Sequence, residues 1–349
     1  MKKIYSLMLL LCVALTLTCC GGGDDDNYSG SSTWGGNTSG NGSNNNSNSN
    51  PNGGSTNSPQ SSLTYKYDKA NYRLTISGSG AMPDYSPGMQ PWHGYDIREL
   101  VIEEGCTYIG ANAFYNDNPS SQLFTKLLET VKFPRTLQGI GNYAFANTLL
   151  TDVYLNNNLK SVGDGAFAGC LYLKNISLNE GLESVGNDAF LGCPENGKYF
   201  ATPANLKDVG NNAFASWSIE YLTLNDKLEN IGHGAFGTGI LKGTITIPNS
   251  VKFIGSAAFS GSFSKVIIGT GLKTLYSSAF CSSARSGSFY INIANPINIQ
   301  GSGSELIPDN NNYHEGQEWW SLYVPVGSKS AYATASVWRK FQSITESSF

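Results

Sequence analysis

The chain has 349 residues, with 22 Lys and Arg against 26 Asp and Glu, for a formal net charge of −4. No basic stripe appears, which argues against nucleic acid and against anionic membrane surfaces as partners. Not all of the chain has the composition to fold.

Lys2 and Lys3 open the chain, and residues 4–18 form an almost wholly apolar run of 15 residues. That run is short of the roughly 20 residues that span a bilayer. Residues 1–19 therefore read as a targeting segment. Thr18, Cys19 and Cys20 close it. The arrangement resembles a bacterial lipoprotein signal peptide, in which the lipidated cysteine follows a Leu-x-small tripeptide. Leu17, Thr18 and Cys19 fit that pattern in front of Cys20, which makes Cys20 the lipidation site. Cys19 is the alternative acceptor, with Thr16 where Leu belongs. An ordinary secretory signal with incidental cysteines is the other reading. Asp24, Asp25 and Asp26 resemble the surface-export tag of some Gram-negative lipoproteins, although a plain spacer has the same look. The resemblance implies a protein lipid-anchored to the outer membrane and facing the cell exterior. Cleavage before Cys20 leaves 20 basic residues against 26 acidic, a charge of −6. Only the lipid would then hold the chain to a membrane, at about 0.8 kcal/mol per buried CH₂.

Residues 20–62 are Gly, Ser and Asn with scattered Thr and Pro, and read as a disordered tether. Order begins near Leu63. Residues 63–96 read as a β-rich N-terminal cap. Leu63, Tyr65 and Tyr67 alternate with polar residues, as do Tyr72, Leu74 and Ile76, so two strands flank a turn at residues 68–71. Residues 81–95 read as an ordered cap loop. A bare solenoid end exposes apolar core and strand edge, so an end cap is required.

Residues 97–281 contain eight copies of one phrase, ending at Phe114, Phe145, Phe167, Phe190, Phe214, Phe236, Phe259 and Phe280. The phenylalanines lie 31, 22, 23, 24, 22, 23 and 21 residues apart. A near-fixed period of this size marks a stacked solenoid, in which neighbours cover each unit's apolar face. Counted back from each Phe, positions −14 and −12 are apolar in nearly every unit, so each unit supplies one short strand with those side chains inward. Parallel stacking spaces such strands ~4.8 Å apart. Position −8 is Leu or Val except for Cys106, which a core slot explains. Position −1 is Ala in all eight copies, and −4 is Gly in seven, Tyr276 being the exception. The Gly implies a tight turn or a close approach of successive backbones. Residues 282–349 read as a partial repeat and a helical C-terminal cap. Residues 322–325 form a last strand, and Tyr332, Ala335, Trp338 and Phe341 fall at helical spacing.

Motifs that suggest chemistry dissolve into this register. Gly232, Gly234 and Gly237 match G-x-G-x-x-G, but Gly232 is a repeat slot and no Rossmann unit surrounds it. Residues 192–198 match most of a phosphate loop, with Tyr199 where Ser or Thr would hold magnesium. His93, His233 and His314 are the only histidines, and no metalloprotease or esterase motif occurs. No cofactor is expected. Cys106, Cys170, Cys193 and Cys281 match no zinc spacing. Cys170 and Cys193 stack in adjacent units, as two small buried apolar residues or as a disulfide.

The candidate site is the outward strand face, at positions −15 and −13. Tyr154, Tyr199 and Tyr221 fall there in the middle of the array, with Asp152 and Asn175 among them. Exposed Tyr suits protein contacts and sugar stacking alike, and strand propensity also favours it.

The unit L-x-x-V-x-[IL]-P-x-x-L-x-x-[IV]-G-x-x-A-F, clearest from Leu128 to Phe145, resembles the BspA-like leucine-rich repeats of bacterial surface proteins. Leu74 to Met82 with Pro91 and Trp92 resemble that family's N-terminal cap, and Leu322 to Ser328 with Trp338 its C-terminal end. The resemblance covers residues 63–346. It implies a non-catalytic, cell-surface leucine-rich-repeat solenoid that acts in adhesion. The expected partner is a host or matrix protein, with glycan binding for nutrient capture as the alternative. It carries no ligand and no set of binding residues.

Overall fold

The computed structural model describes residues 61–116, 128–194, 197–215, 217–301, 305–307 and 319–349. The targeting segment, Cys20 and nearly all of the tether lie outside these residues.

The described chain is a solenoid of stacked parallel strands. The face series runs Arg73–Ser77, Glu99–Ile102, Thr130–Lys132, Asp152–Tyr154, Asn175–Ser177, Tyr199–Ala201, Tyr221–Thr223, Thr244–Ile247 and Lys265–Ile268. It continues past the last Ala-Phe pair through Gly287–Ile291, Trp320–Pro325 and Ser343–Ser347. All the pairings within the series are parallel, and the ladder is interrupted on both sides of Asp152–Tyr154 and Asn175–Ser177 and again after Tyr221–Thr223. Thr64–Asp68 adds antiparallel to Arg73–Ser77. The expected turn between them is closed by Asp68, which accepts from Ala70 N–H (3.0 Å) and the Asn71 amide (2.7 Å).

Each repeat carries more strand than the one element expected. A ten-stranded parallel sheet of two- to four-residue strands runs from Gly80–Ala81 to Ile299–Gln300. Its members, such as Ser161–Val162, Ser184–Val185 and Asp208–Val209, lie just before the glycine at −4. Phe236–Leu241, Phe259–Gly261 and Phe280–Ser282 form a third short sheet. The expected C-terminal helix is short. Lys329–Thr334 is helical and Trp338–Lys340 forms a 3₁₀ turn, and together they link two paired strands.

The core is one aromatic column. Trp92, Phe114, Phe145, Phe167, Phe190, Phe214, Phe236, Phe259 and Phe280 stack ring on ring at 5.2–5.8 Å and within 16° of parallel. Trp92, from the expected cap loop, takes the place of a ninth phenylalanine and donates its indole N–H to Ala113 O at 2.8 Å. Phe289 meets Phe280 edge-on and ends the column. The alanine before each phenylalanine is fully buried. Such rings bury 150–250 Å² each and gain about 0.5–1.5 kcal/mol per aromatic pair beyond that burial.

Two backbone rules hold the column in step. A Cβ on Gly210 would stand 2.5 Å from Asn187 N of the preceding repeat, one on Gly232 2.6 Å from Asn211 N, and one on Gly255 2.5 Å from His233 N. Position −4 is therefore a close-approach site, as expected. Position −2 supplies the turn, since Asn112, Tyr143, Gly165, Asp188, Asn212, Gly234, Ala257 and Ser278 all have φ between +52° and +62°. At −3 a side-chain acceptor receives the backbone N–H of the next repeat. Asn142 Oδ1 takes Asp164 N, Asp164 takes Asn187 N, Asn187 takes Asn211 N, Asn211 takes His233 N, and His233 Nδ1 takes Ser256 N, all at 2.7–2.9 Å.

Cys106 fills its leucine slot, and all four described cysteines are buried thiols. Cys170 and Cys193 donate to the carbonyls of Phe145 and Phe167 at 3.2 Å.

Candidate functional site

The face series exposes two columns of side chains, because alternate residues of a strand point to opposite sides. Tyr199 stands opposite Tyr221 in register. Their rings lie 4.9 Å apart and 15° from parallel. Tyr199 is 78% exposed and Tyr221 40%. Their strands are short, each with an inward anchor, Phe200 or Leu222, packed on the core. Phe200 also touches Phe214 and Trp217.

Tyr154, 65% exposed, lies in the other column, opposite Ser177. Asp152 and Asn175 share the column of Tyr199 and Tyr221 and stand opposite each other. The Asp152 carboxylate accepts from the Thr151 hydroxyl (2.6 Å), the Asn175 amide (2.5 Å) and the Tyr154 hydroxyl (3.4 Å). The Thr151 bond above all, then that from Asn175, holds its carboxyl below the usual carboxylate range. The predicted residues thus form two groups. Asp152, Asn175 and Tyr154 are one hydrogen-bonded set, and Tyr199 with Tyr221 is one stacked pair. The ladder breaks between them.

Position −7 differs from this face. There Lys160, Glu183 and Lys207 alternate, with Glu183 paired at 3.3 and 3.1 Å, and Glu229 meets Lys252 at 2.5 Å. Lys207 first, then Lys160, holds the Glu183 carboxyl below its ordinary range. These exposed charges answer one another along the stack, and each such pair is worth about 0–1 kcal/mol.

The motif glycines have structural work. Gly234 is a left-handed −2 residue and Gly232 a close-approach residue. His233 sits in the −3 ladder, with its ring against Phe253 and Tyr276. His314 lies outside the described residues. No group of three or more His, Cys, Asp or Glu placed to hold a metal occurs among the described residues. Among them, no helix is long and apolar enough to cross a membrane.

A second tyrosine pair escaped the sequence reading. Tyr290 and Tyr323 stack at 4.4 Å and 8° on the same face. The signal was present, since Phe289 and Ile291, and Leu322 and Val324, alternate inward around them. Their units lack the Ala-Phe pair that marks the register as far as Phe280.

Parallel strands repeated in register, a stacked aromatic core and an exposed strand face define a leucine-rich-repeat type of solenoid. The model of the BspA type leucine-rich repeat region matches in six copies, over residues 92–217, 120–242 and 238–302, which together span more than half of the chain. The chain belongs to that family. Among solved structures, it is similar to a leucine-rich repeat protein from Bacteroides ovatus, at 20% identity over 82% of this chain and 75% of that one, with a TM-score of 0.39. A leucine-rich cell surface protein from Faecalibacterium prausnitzii is 19% identical over 84% of this chain and 96% of its own, with a TM-score of 0.34. A leucine-rich repeat protein from T. pallidum is 19% identical over 50% and 86%, also at 0.34. No curated protein matches the sequence.

Proposed function

We propose that this chain is a lipoprotein, anchored through Cys20 to the outer membrane and displayed outward, that adheres to a host or matrix protein through its strand face without catalysis. The observation that carries this reading is the Tyr199–Tyr221 stack, two exposed aromatic rings held by neighbouring strands. Rings fixed by a packed sheet lose little freedom on binding, which lowers the entropic cost of association. Tyrosine also combines apolar area with a hydroxyl that finds a partner at an interface. Asp152 and Asn175 add fixed polar groups beside Tyr154. The Gly, Ser and Asn stretch between Cys20 and the repeats gives the reach that a surface anchor needs.

One observation favours a glycan instead. Among the described residues Tyr199 stacks on Tyr221 alone, and it is the most exposed of the three tyrosines, which leaves its other face to a sugar ring.

The test is to probe matrix-protein and glycan arrays with the mature chain and with the Tyr154→Ala/Tyr199→Ala/Tyr221→Ala variant. The expected result is a ligand bound by the parent chain and lost by the variant, with thermal stability almost unchanged. Retained binding by the variant removes this face as the site.

A further inference from the structure

Past the last Ala-Phe pair the outward face carries a patch that the Tyr199 site does not use. Tyr290 and Tyr323 stand opposite each other on parallel strands, stacked at 4.4 Å. The strand on the other side of Tyr290 brings Lys265, whose Nζ lies 4.8 Å from the Tyr290 ring centroid. The Phe349 ring stands at 85° to that of Tyr290, with 6.4 Å between centroids. Both faces of Tyr290 are therefore taken, one by Tyr323 and one by the ammonium group. A sugar ring that stacks needs an open aromatic face. What Tyr290 offers is ring edge and hydroxyl, with an ammonium beside it. Those groups suit the side chains and backbone of a polypeptide.

Charge narrows the partner. The chain has an excess of acidic residues. Yet the outward positions of the described face strands from Asn175 to Thr345 hold no carboxylate, and Lys265 is the single charge among them. Lys265 has no ion-pair partner among the described residues, unlike Lys160, Lys207 and Lys252 of the −7 column. Complementary potentials select partners and suppress wrong ones. At those outward positions an acidic partner segment meets no carboxylate and one cation, Lys265, that no carboxylate answers within them.

We propose that Lys265, Tyr290 and Tyr323 form a second recognition patch whose occupant is an extended acidic segment of a partner protein. One Asp or Glu carboxylate of that segment pairs with Lys265, and its backbone or side-chain groups bond the two tyrosine hydroxyls. The patch deepens the reading of the strand face as a binding surface and rests on that reading, but not on Tyr199 or Tyr221.

The test pans a random dodecapeptide display library against the full mature chain at low ionic strength. Enriched peptides are then synthesised and measured by fluorescence anisotropy. The same titrations use Lys265→Met, Tyr290→Phe/Tyr323→Phe and Tyr199→Ala/Tyr221→Ala chains whose circular dichroism and melting match the parent. The expected result is enrichment in Asp and Glu, with binding about tenfold weaker on Lys265→Met, as one lost charge-assisted contact of ~1.4 kcal/mol gives. Binding should also weaken several-fold on the Phe pair, which keeps the ring stack, and stay unchanged on the Tyr199/Tyr221 variant. Peptides without acid enrichment, an absence of enriched peptides, or unchanged binding to Lys265→Met would overturn the proposal. So would Lys265-dependent binding of digalacturonate with no peptide bound, since the occupant would then be a glycan. Peptides lost only from the Tyr199/Tyr221 variant would uphold the first site and refute this one.

Discussion

Glycine substitutions at two neighbouring register positions should have opposite signs. At −2 every repeat bends through a left-handed residue, and Ala257 does so at φ +53°. An L-residue in that conformation costs about 1–2 kcal/mol relative to glycine. Glycine in turn costs about 0.4–1 kcal/mol through the greater freedom of the unfolded chain. Ala257→Gly should therefore stabilise the solenoid by about 0.5–1 kcal/mol. The reverse change, Gly234→Ala, should destabilise by about 1 kcal/mol or more, because its φ is +62° and its new Cβ would also meet Asn212 Oδ1. At −4 the obstacle is different. Gly210 has no left-handed conformation, but its Cβ would stand 2.5 Å from both Asn187 N and the Gly186 carbonyl carbon. Backbone cannot yield there without parting two repeats, so Gly210→Ala should cost more than Gly234→Ala, about 3 kcal/mol or above, as severe overpacking does. Urea denaturation of the three variants, with equal m-values as the check on two-state behaviour, measures all of them. A destabilised Ala257→Gly, or a neutral Gly210→Ala, would refute the register argument.

Further outcomes follow from the core, the ladder and the anchor. Phe190→Ala removes a buried ring stacked at 5.3 Å on Phe167 and 5.7 Å on Phe214, and should cost about 3–5 kcal/mol in the same denaturation assay. His233 accepts Ser256 N–H through Nδ1, and burial pushes its pKa below the ordinary 6.5. The unfolded chain then binds the proton more readily, so stability should fall as pH drops below about 6.5 and level off below the folded value. His233→Asn keeps an acceptor of the kind Asn211 already uses and should flatten that part of the pH–stability curve. Cys20→Ser should abolish incorporation of labelled palmitate and release the protein from the membrane fraction, whereas Cys19→Ser should do neither.

The sequence was most legible where the repeat forces one residue type. The Ala-Phe pair, the leucine slots and the glycine at −4 each satisfy a single steric demand, so their identities survive from repeat to repeat and reveal the stack. The left-handed turn at −2 was not legible, because Tyr143, Ala257 and Ser278 occupy it beside Asn, Asp and Gly. There the neighbouring repeats impose the backbone conformation that the residue alone would avoid. The ten-stranded second sheet was hidden for another reason. Strands of two residues such as Ser161–Val162 are too short to show alternation. At the site, offset from the phenylalanine placed Tyr199 and Tyr221 in one column and Tyr154 in the other, but only coordinates separate the stacked pair from the hydrogen-bonded set around Asp152. Tyr290 and Tyr323 lay beyond the last phenylalanine that anchored the register.

The binding face is tested most directly by hydrogen–deuterium exchange of the mature chain with and without the first ligand that an array returns. The account predicts ligand-dependent protection at Tyr199–Ala201 and Tyr221–Thr223, with the −7 column at Lys160, Glu183 and Lys207 unaffected. Protection centred on that charged column, with the tyrosine strands exchanging as in the free protein, would contradict it.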